Sequence, residues 1–263
     1  MADRRTNYIN ELHTAIDAAV LAGGAIMGVY SAGDFAVEFK KDSSPLTRAD
    51  RRANEIIVSM LRDKFPDYAI LAEESEDDMS RLDNDYCFIV DPLDGTKEFI
   101  KRNDQFTVNI ALAYKRRAVM GVIYIPVTKE LYYAMEGGGA FYRADGAEPV
   151  QISVSDRTDD IRMVRSLSHE SEELDRLIEK HNISNCIRIG SAVKGCLIAR
   201  GEADVYYRYG PTMEWDTAAM QCIVEQAGGI FRQMDGAEML YNRRNPINDK
   251  GFYIVNRAEN VLE

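Results

Sequence analysis

Histidine and cysteine, which supply many of the general bases, nucleophiles and soft-metal ligands of enzymes, are scarce in this sequence. It contains three histidines and four cysteines in 263 residues. The cysteines are widely spaced and form no CxxC pair, which argues against a zinc knuckle or a disulfide scaffold. Each stands in an apolar context, so we expect small buried side chains and a reducing, cytoplasmic location. They are Cys87, Cys186, Cys196 and Cys222.

Basic charge is also in short supply. Lys and Arg total 32 against 43 Asp and Glu, which gives a formal net charge of -11. Proteins that bind a nucleic-acid backbone obtain most of their affinity from Lys and Arg, so a nucleic-acid polymer is not expected as a partner. A small anion remains compatible with this charge if metal cations bridge it to the acids.

Long apolar runs and a dinucleotide-binding glycine motif are missing as well. The apolar patch over residues 18–29 is too short for a membrane span and lacks the order of regions of a signal peptide, so membrane association is not indicated. The triple glycine at 137–139 has neither the GxGxxG spacing nor the strand-turn-helix context, and we predict a turn there.

Hydrophobic periodicity predicts two parts of different texture. A long amphipathic helix over residues 7–30 and a second helix after Thr47 precede short strands separated by turns, which is typical of an antiparallel meander. The rest of the chain alternates shorter strands with helices. We therefore predict an α/β protein with an α+β part over residues 1–153 and an α/β part over residues 154–263.

The most distinctive segment is a strand that runs into an acidic turn. The apolar residues 86–90 lead directly into Asp91-Pro92-Leu93-Asp94-Gly95-Thr96. Such a turn presents two carboxylates, Asp91 and Asp94, whose hard oxygens suit Mg²⁺. The alternative is an ordinary surface turn, because Asp, Pro and Gly are common turn residues.

A second pair of acids follows the preceding apolar run. Residues 68–72 end at Glu73-Glu74, 18 positions before Asp91. If the two strands share a sheet edge, Glu73 converges with Asp91 and Asp94, and metal ions would be needed to offset the repulsion.

Several polar residues elsewhere have a structural and a functional interpretation. Asp50 and Asp216 each stand at a predicted helix start, where a carboxylate caps the helix or complements its dipole. Ser191 is placed to cap the helix that carries Lys194, and Arg208 follows an aromatic strand. Singly, these are ordinary surface or capping residues; together they present a hydroxyl, an ammonium and a guanidinium to an anion.

The acidic segments, taken in order, resemble a known family. Asp50, Glu73-Glu74, residues 91–96 and Trp215-Asp216-Thr217-Ala218-Ala219 are similar to the signature of the inositol monophosphatase-like, magnesium-dependent, lithium-sensitive phosphomonoesterases. The resemblance runs from the first helix to the last strand and implies a layered αβαβα sandwich. Residues 95–99, 190–194 and 208–212 look most like the CysQ-type branch of 3'(2'),5'-bisphosphate nucleotidases.

The resemblance also implies roles for individual residues. Two Mg²⁺ ions, with a third and weaker one beside Glu73, would be held by Glu73, Asp91, the Leu93 carbonyl, Asp94 and Asp216. Thr96 and Asp50 would orient and deprotonate the attacking water, with Glu74 acting from behind the metal ligands. The amides of Gly95 and Thr96 would receive the 3'-phosphate. The 5'-phosphate and nucleoside would be bound by Ser191, Lys194 and Arg208.

The implied substrate is a small phosphate ester, namely adenosine 3',5'-bisphosphate, cleaved to AMP and phosphate, or its sulfated analogue, which would lose the same 3'-phosphate and keep its sulfate. The enzyme would be a monomer or homodimer. Inositol phosphatases are expected to carry a glutamate near the position of Arg208, where a cation suits a second phosphate. An inositol monophosphatase or fructose-1,6-bisphosphatase on the same scaffold is the near alternative. A non-catalytic metal- or nucleotide-binding module is the remote one.

Overall fold

Two β-sheets separate three layers of helices in the computed structural model, which describes residues 8–33, 35–40, 44–77, 79–168 and 171–262. The order of layers is helices, seven-stranded sheet, helices, five-stranded sheet, helix. This confirms the layered α/β fold predicted from the sequence.

The seven-stranded sheet contains the predicted meander. Its first two strands are parallel and its remaining neighbours antiparallel. In spatial order the strands are β3 (Ala69–Ala72), β4 (Tyr86–Asp94), β5 (Thr107–Tyr114), β6 (Arg117–Ile125), β7 (Glu130–Met135), β8 (Gly139–Arg143) and β9 (Val150–Ile152). A separate antiparallel pair, β1 (Glu38–Phe39) and β2 (Pro45–Leu46), lies before them in the chain. The turn predicted at the triple glycine connects β7 to β8.

The first helical layer covers one face of this sheet. Helices α1 (Ile9–Ala32) and α2 (Arg48–Lys64) share a core with the strands, and Asn7, where the first helix was predicted to begin, lies outside the described residues. A side chain at Gly23 would meet the Tyr124 ring at 2.4 Å, so only glycine allows α1 to lie this close to β6.

Helix α1 extends beyond the apolar patch at residues 18–29, which by itself is too short for a membrane span. Its 24 residues, with a mean hydropathy of 1.5 in the most apolar window, are long and apolar enough to cross a membrane by length and composition. In the fold the same residues form core contacts: Ala15, Ala18, Ala19, Ala22 and Ile26 are fully buried. The apolar length of α1 is therefore used for packing against α2 and the sheet.

The middle layer packs against the opposite face of the seven-stranded sheet. It consists of α5 (Val193–Ala199) and α6 (Glu214–Gln226). A Cβ at Gly121 of β6 would lie 2.5 Å from the carbonyl oxygen of Ala219, so α6 rests directly on the sheet backbone. This contact brings the start of α6 toward the acidic end of β4.

The five-stranded sheet lies beyond the middle layer. Its order is β11 (Asn185–Ile189), β10 (Arg162–Ser166), β12 (Val205–Arg208), β16 (Phe252–Val255) and β14 (Ile230–Gln233). Helix α4 (Glu172–Lys180) forms the outer layer by burying Leu174 and Leu177 against it. The remaining elements are α3 (Thr96–Lys101), the pair β13 (Thr212–Met213) and β15 (Ile247–Asn248), and 3-10 turns at Ser80–Asp83 and Ala258–Asn260.

Two sequence-based expectations concern this second half. The first sheet ends at Ile152 and the second begins at Arg162, yet α6 packs on the first sheet, so the division into 1–153 and 154–263 stays a prediction.

The expectation of four buried cysteines was wrong for Cys186, which is exposed because β11 is an edge strand. The other three cysteines are buried and all four are free thiols.

Candidate active site

Three carboxylates converge where β4 ends and α6 begins. Oxygens of Asp91, Asp94 and Asp216 all lie within 4.8 Å of one another. Asp91 is only 2% exposed. The structure thus brings together acids that are 122 and 125 positions apart in the chain.

The end of β4 is shaped to present its two acids on one side. The pairing of β4 with β5 shifts register between Asp91 and Asp94, and the Leu93 amide donates a hydrogen bond of 3.0 Å to Asp91 Oδ1. Gly95 follows with φ of +93°, and a Cβ there would lie 3.0 Å from the Gln105 carbonyl oxygen. The turn therefore requires glycine both for its backbone angle and for its close neighbour.

Neighbouring groups hold the other two carboxylates. Asn109 Nδ2 and Thr107 Oγ1 of β5 donate to Asp94 Oδ2 at 3.3 and 3.4 Å. The Met213 amide donates to Asp216 Oδ2 at 2.6 Å, which is the helix-cap arrangement considered from the sequence. The capping and the convergence of Asp216 with the other acids occur in the same structure.

Burial and mutual repulsion dominate the electrostatics of this acid triad. Both causes raise the pKa of Asp91 well above its usual range, and burial raises that of Asp94. Burial and the nearby Asp94 raise the pKa of Asp216 to about 8. A divalent cation would remove this cost, and three carboxylates are the hard oxygen donors that Mg²⁺ takes, so the residues present fit a Mg²⁺ site.

Glu73 and Glu74 lie beside the triad, as expected if the two strands share a sheet edge. Strand β3 is parallel to β4, and the Glu73 amide donates to the Val90 carbonyl at 3.1 Å. Their side chains are joined by Lys40, whose Nζ lies 2.7 Å from Glu73 and 2.5 Å from Glu74. Sequence reasoning missed Lys40, because loop composition does not show which lysine turns inward.

The side chain of Glu74 is largely buried, with 7% of its surface exposed. Burial, together with repulsion from Glu73, raises its pKa to about 7 despite the hydrogen bond from Lys40.

Asp50 and Thr96 contact each other beside the turn. Thr96 Oγ1 lies 3.1 Å from Asp50 Oδ1 and 3.3 Å from the Leu93 carbonyl oxygen. Asp50 Oδ2 accepts bonds from the Thr47 amide and hydroxyl at 2.7 and 2.5 Å, so Thr47 and Asp50 form a capping box at the start of α2. Burial raises the pKa of Asp50, although these bonds oppose the shift.

The predicted substrate residues line the same cavity as the acids. This cavity measures about 670 Å³ and is bordered by Ser191, Lys194 and Arg208 together with the acid triad. Ser191 does not cap α5 as predicted; its φ of +47° turns it away from the helix start, whose cap position is Ala192. Its hydroxyl is instead buried without a hydrogen-bond partner.

The two basic residues of the cavity differ in their bonding. Lys194 Nζ donates to the Ser191 carbonyl at 2.5 Å, and burial lowers its pKa to about 8. Arg208 Nη2 donates to the Pro211 carbonyl at 3.3 Å, while its buried Nε has no partner. Buried polar atoms are rarely left unpaired, so Ser191 Oγ and Arg208 Nε indicate a place for a ligand.

A layered αβαβα fold with three carboxylates gathered where β4 ends and α6 begins defines a class of protein that comparison with known proteins identifies. The family model described as the inositol monophosphatase family matches residues 9–260, and the chain belongs to this family.

Several members of this family are similar to the chain over most of its length. The 3'(2'),5'-bisphosphate nucleotidase CysQ of Salmonella typhimurium is 41% identical over 237 residues, covering 89% of this chain and 95% of the relative. That of Escherichia coli is 39% identical over 235 residues, with 89% and 94% covered. The crystal structure of CysQ from Bacteroides thetaiotaomicron, described as a bacterial member of the same family, has a TM-score of 0.83 and 41% identity, covering 94% of this chain and 98% of that one.

Proposed function

We propose that this protein is a Mg²⁺-dependent phosphomonoesterase that removes the 3'-phosphate of adenosine 3',5'-bisphosphate, giving AMP and phosphate. The observation that carries the proposal is one cavity lined both by the acid triad and by Ser191, Lys194 and Arg208. Relatives named bisphosphate nucleotidases support the substrate class. The sulfated analogue of this nucleotide, a cytoplasmic location and a monomer or homodimer are part of the same proposal.

The acids would hold the metal. Asp91, Asp94 and Asp216 would be the central ligands, and Glu73 and the Leu93 carbonyl would complete the set for two Mg²⁺ ions and a weaker third. When bound, Mg²⁺ supplies positive charge that neutralises the phosphate, lowers the pKa of water and stabilises the leaving oxygen. Lys40 Nζ contacts Glu73 Oε1, so Glu73 would offer its other oxygen, Oε2, to the metal.

Thr96 and Asp50 are placed to handle the proton of the attacking water. Thr96 Oγ1 donates its hydrogen to Asp50 Oδ1, so the lone pairs of the Thr96 hydroxyl are free to accept a hydrogen bond from water. The raised pKa of Asp50 makes its carboxylate a better base than an exposed aspartate. Thr96 thus orients the water and Asp50 receives its proton. Glu74, which shares Lys40 with Glu73, acts from behind the metal ligands.

The remaining polar residues of the cavity would bind the rest of the nucleotide. The amides of Gly95 and Thr96 receive the 3'-phosphate next to the acids. Ser191 Oγ and Arg208 Nε offer unpaired polar atoms to the 5'-phosphate, and Lys194 adds its positive charge. A second phosphate distinguishes this substrate from inositol 1-phosphate, for which Arg208 has no evident use.

Phosphate release from adenosine 3',5'-bisphosphate tests the proposal. We expect Mg²⁺-dependent release that stops with a chelator and is absent in Asp91→Asn. Full activity of Asp91→Asn, or undiminished release with the chelator, would overturn it. Retention of the 5'-phosphate in the nucleotide product confirms which ester is cleaved.

A further inference from the structure

A buried carboxylate that does not line the cavity lies two positions from Asp216. Glu214, fully buried, accepts hydrogen bonds at 2.6 Å from the Asn242 amide and at 2.9 Å from the Arg243 amide. The Arg243 guanidinium adds an ion pair with it at 3.0 Å. The first residue of α6 is therefore fixed to the segment that follows Tyr241.

The same segment is joined to the first half of the chain. The Asn242 side chain accepts from Arg81 Nη1 at 2.8 Å and donates to the carbonyls of Arg81 and Asn84 at 2.9 and 3.3 Å. Arg81 in turn forms an ion pair of 2.7 Å with Asp77. Asp77 and Arg81 lie in the segment that follows Glu73 and Glu74. The contacts therefore connect this segment to the start of α6, which carries Asp216.

Asn248 completes the hold on the start of α6. Arg243 Nη2 donates to Asn248 Oδ1 at 2.5 Å. Asn248 Nδ2 in turn donates to the Met213 carbonyl at 2.8 Å and to Thr217 Oγ1 at 3.1 Å. The residues on both sides of Asp216 are thereby anchored, although none of these bonds involves its carboxylate.

We propose that Arg81, Asn242, Glu214 and Arg243 form a positioning network that holds Asp216 against Asp91 and Asp94 and so raises the affinity of the acid triad for Mg²⁺. The reason is electrostatic: three carboxylates within 4.8 Å of one another repel, and without metal the restraints of the fold must keep them together. A site restrained in its bound geometry binds with less reorganisation. This inference rests on the proposed function only in taking Mg²⁺ as the ion.

Asn242→Gly tests the network with little disturbance of the backbone. Asn242 has φ of +52°, which glycine adopts freely, and the amide that donates to Glu214 is kept. The variant loses the side-chain bonds to Arg81 and Asn84. We expect the Kd for Mg²⁺, measured by calorimetry without substrate, to rise about tenfold, the scale seen when a group supporting metal ligands is removed. The kcat at saturating Mg²⁺ should stay close to that of the wild type.

Asn256→Ala is the matched control. Asn256 is 1% exposed, and its Nδ2 donates to Ser155 and to the Arg157 carbonyl. It follows Val255, which pairs with Val205 at the end of β12 opposite to Arg208. The control should lose stability to a similar extent and keep its Kd for Mg²⁺ within about twofold, which is well below the change expected from losing support of the ligands.

The outcomes separate this inference from the proposed function. If the wild type binds Mg²⁺ and Asn242→Gly binds it equally well, the network is only structural and the inference fails alone. If the wild type does not bind Mg²⁺, both fail. Should Asn242→Gly not fold, Glu214→Gln carries the test, since it keeps the size and one acceptor oxygen but loses the charge that pairs with Arg243; an unchanged Kd there overturns the inference.

Discussion

Asp204 and the acid triad have opposite electrostatics. Asp204 is 0% exposed and accepts hydrogen bonds from the Arg162 amide and guanidinium at 2.7 to 3.1 Å, as well as from Ser155. These bonds overcome the effect of burial and hold its pKa below the usual range. Asp91, 2% exposed, accepts a single backbone bond from Leu93, and burial with neighbouring acids raises its pKa.

The difference separates a structural acid from a functional one. A buried carboxylate that only supports the fold is surrounded by donors, because an uncompensated buried charge is costly. The acid triad keeps that cost in the metal-free state, and a bound cation is the natural partner that removes it. The contrast leads to predictions in which the two groups respond differently.

Activity gives the largest expected difference. Asp91→Asn should lower kcat/KM for adenosine 3',5'-bisphosphate by about a thousandfold or more, the scale of removing a principal electrostatic group from an active site. Asp204→Asn should leave kcat/KM per folded molecule nearly unchanged, because it lies at the far end of β12 from Arg208. Kinetics on both variants at saturating Mg²⁺, with folded protein quantified by circular dichroism, check this. Equal losses in the two variants would contradict the distinction.

Basic side chains show the same contrast with a smaller effect. Arg162 is satisfied by Asp204 and the Gly201 carbonyl, whereas Arg208 keeps an unpaired buried Nε. Arg208→Glu should therefore raise KM for the bisphosphate nucleotide by about a hundredfold, since a charged hydrogen bond is lost and repulsion is added. Turnover of a simple monoester should change far less. Arg188→Glu, at an exposed position of β11, is the control and should alter neither substrate; a similar loss on both substrates in Arg208→Glu refutes the assignment.

Stability should depend on pH with opposite sign for the two groups. The pKa of Asp216 is raised to about 8 from an ordinary 3.8, so the metal-free fold binds more protons than the unfolded chain between these values. Its free energy of unfolding therefore falls as pH rises from about 4 to about 8. Asp204, whose pKa is lowered, contributes stability that is present above its ordinary pKa and lost only as pH falls below it.

Urea unfolding with a chelator, at about pH 5 and about pH 8, measures this effect. We expect lower stability at the higher pH by a few kcal/mol, and recovery of the loss when Mg²⁺ is in excess. Asp91→Asn should flatten the dependence, because it removes one of the repelling charges. A metal-free protein that becomes more stable across this range would contradict the raised pKa values of the triad.

Ser191→Ala is expected to have the smallest effect. Its unpaired hydroxyl contributes no hydrogen bond to the free fold, so stability without ligand should change little. Affinity for the nucleotide should fall about tenfold, because a hydrogen bond to a charged phosphate contributes about 1.5 kcal/mol. Ser155→Ala, which removes a hydroxyl bonded to Asp204, should do the reverse by lowering stability and sparing affinity. A Ser191→Ala variant that is destabilised but binds normally would refute the ligand-binding role.

The sequence allowed much of the fold and the local acidic segments to be predicted. Two apolar runs that each end in acids suggested that Glu73 lies near Asp91 if the strands share a sheet edge, and the pairing of β3 with β4 brings the two residues together. The position of Asp216 depends on how closely α6 packs at Gly121, a tertiary contact that no local pattern encodes. The contact of Lys40 with the two glutamates was missed for a related reason, because the surrounding fold sets the direction of its side chain. The cap role predicted for Ser191 was wrong because the fold gives this residue a φ of +47°.

One kinetic comparison tests the central claim most directly. We would measure kcat/KM with Mg²⁺ for adenosine 3',5'-bisphosphate, its sulfated analogue, inositol 1-phosphate and fructose 1,6-bisphosphate. We predict that one of the two nucleotides is hydrolysed most efficiently, with loss of the 3'-phosphate and dependence on Mg²⁺. An equal or higher value for inositol 1-phosphate or fructose 1,6-bisphosphate would contradict it.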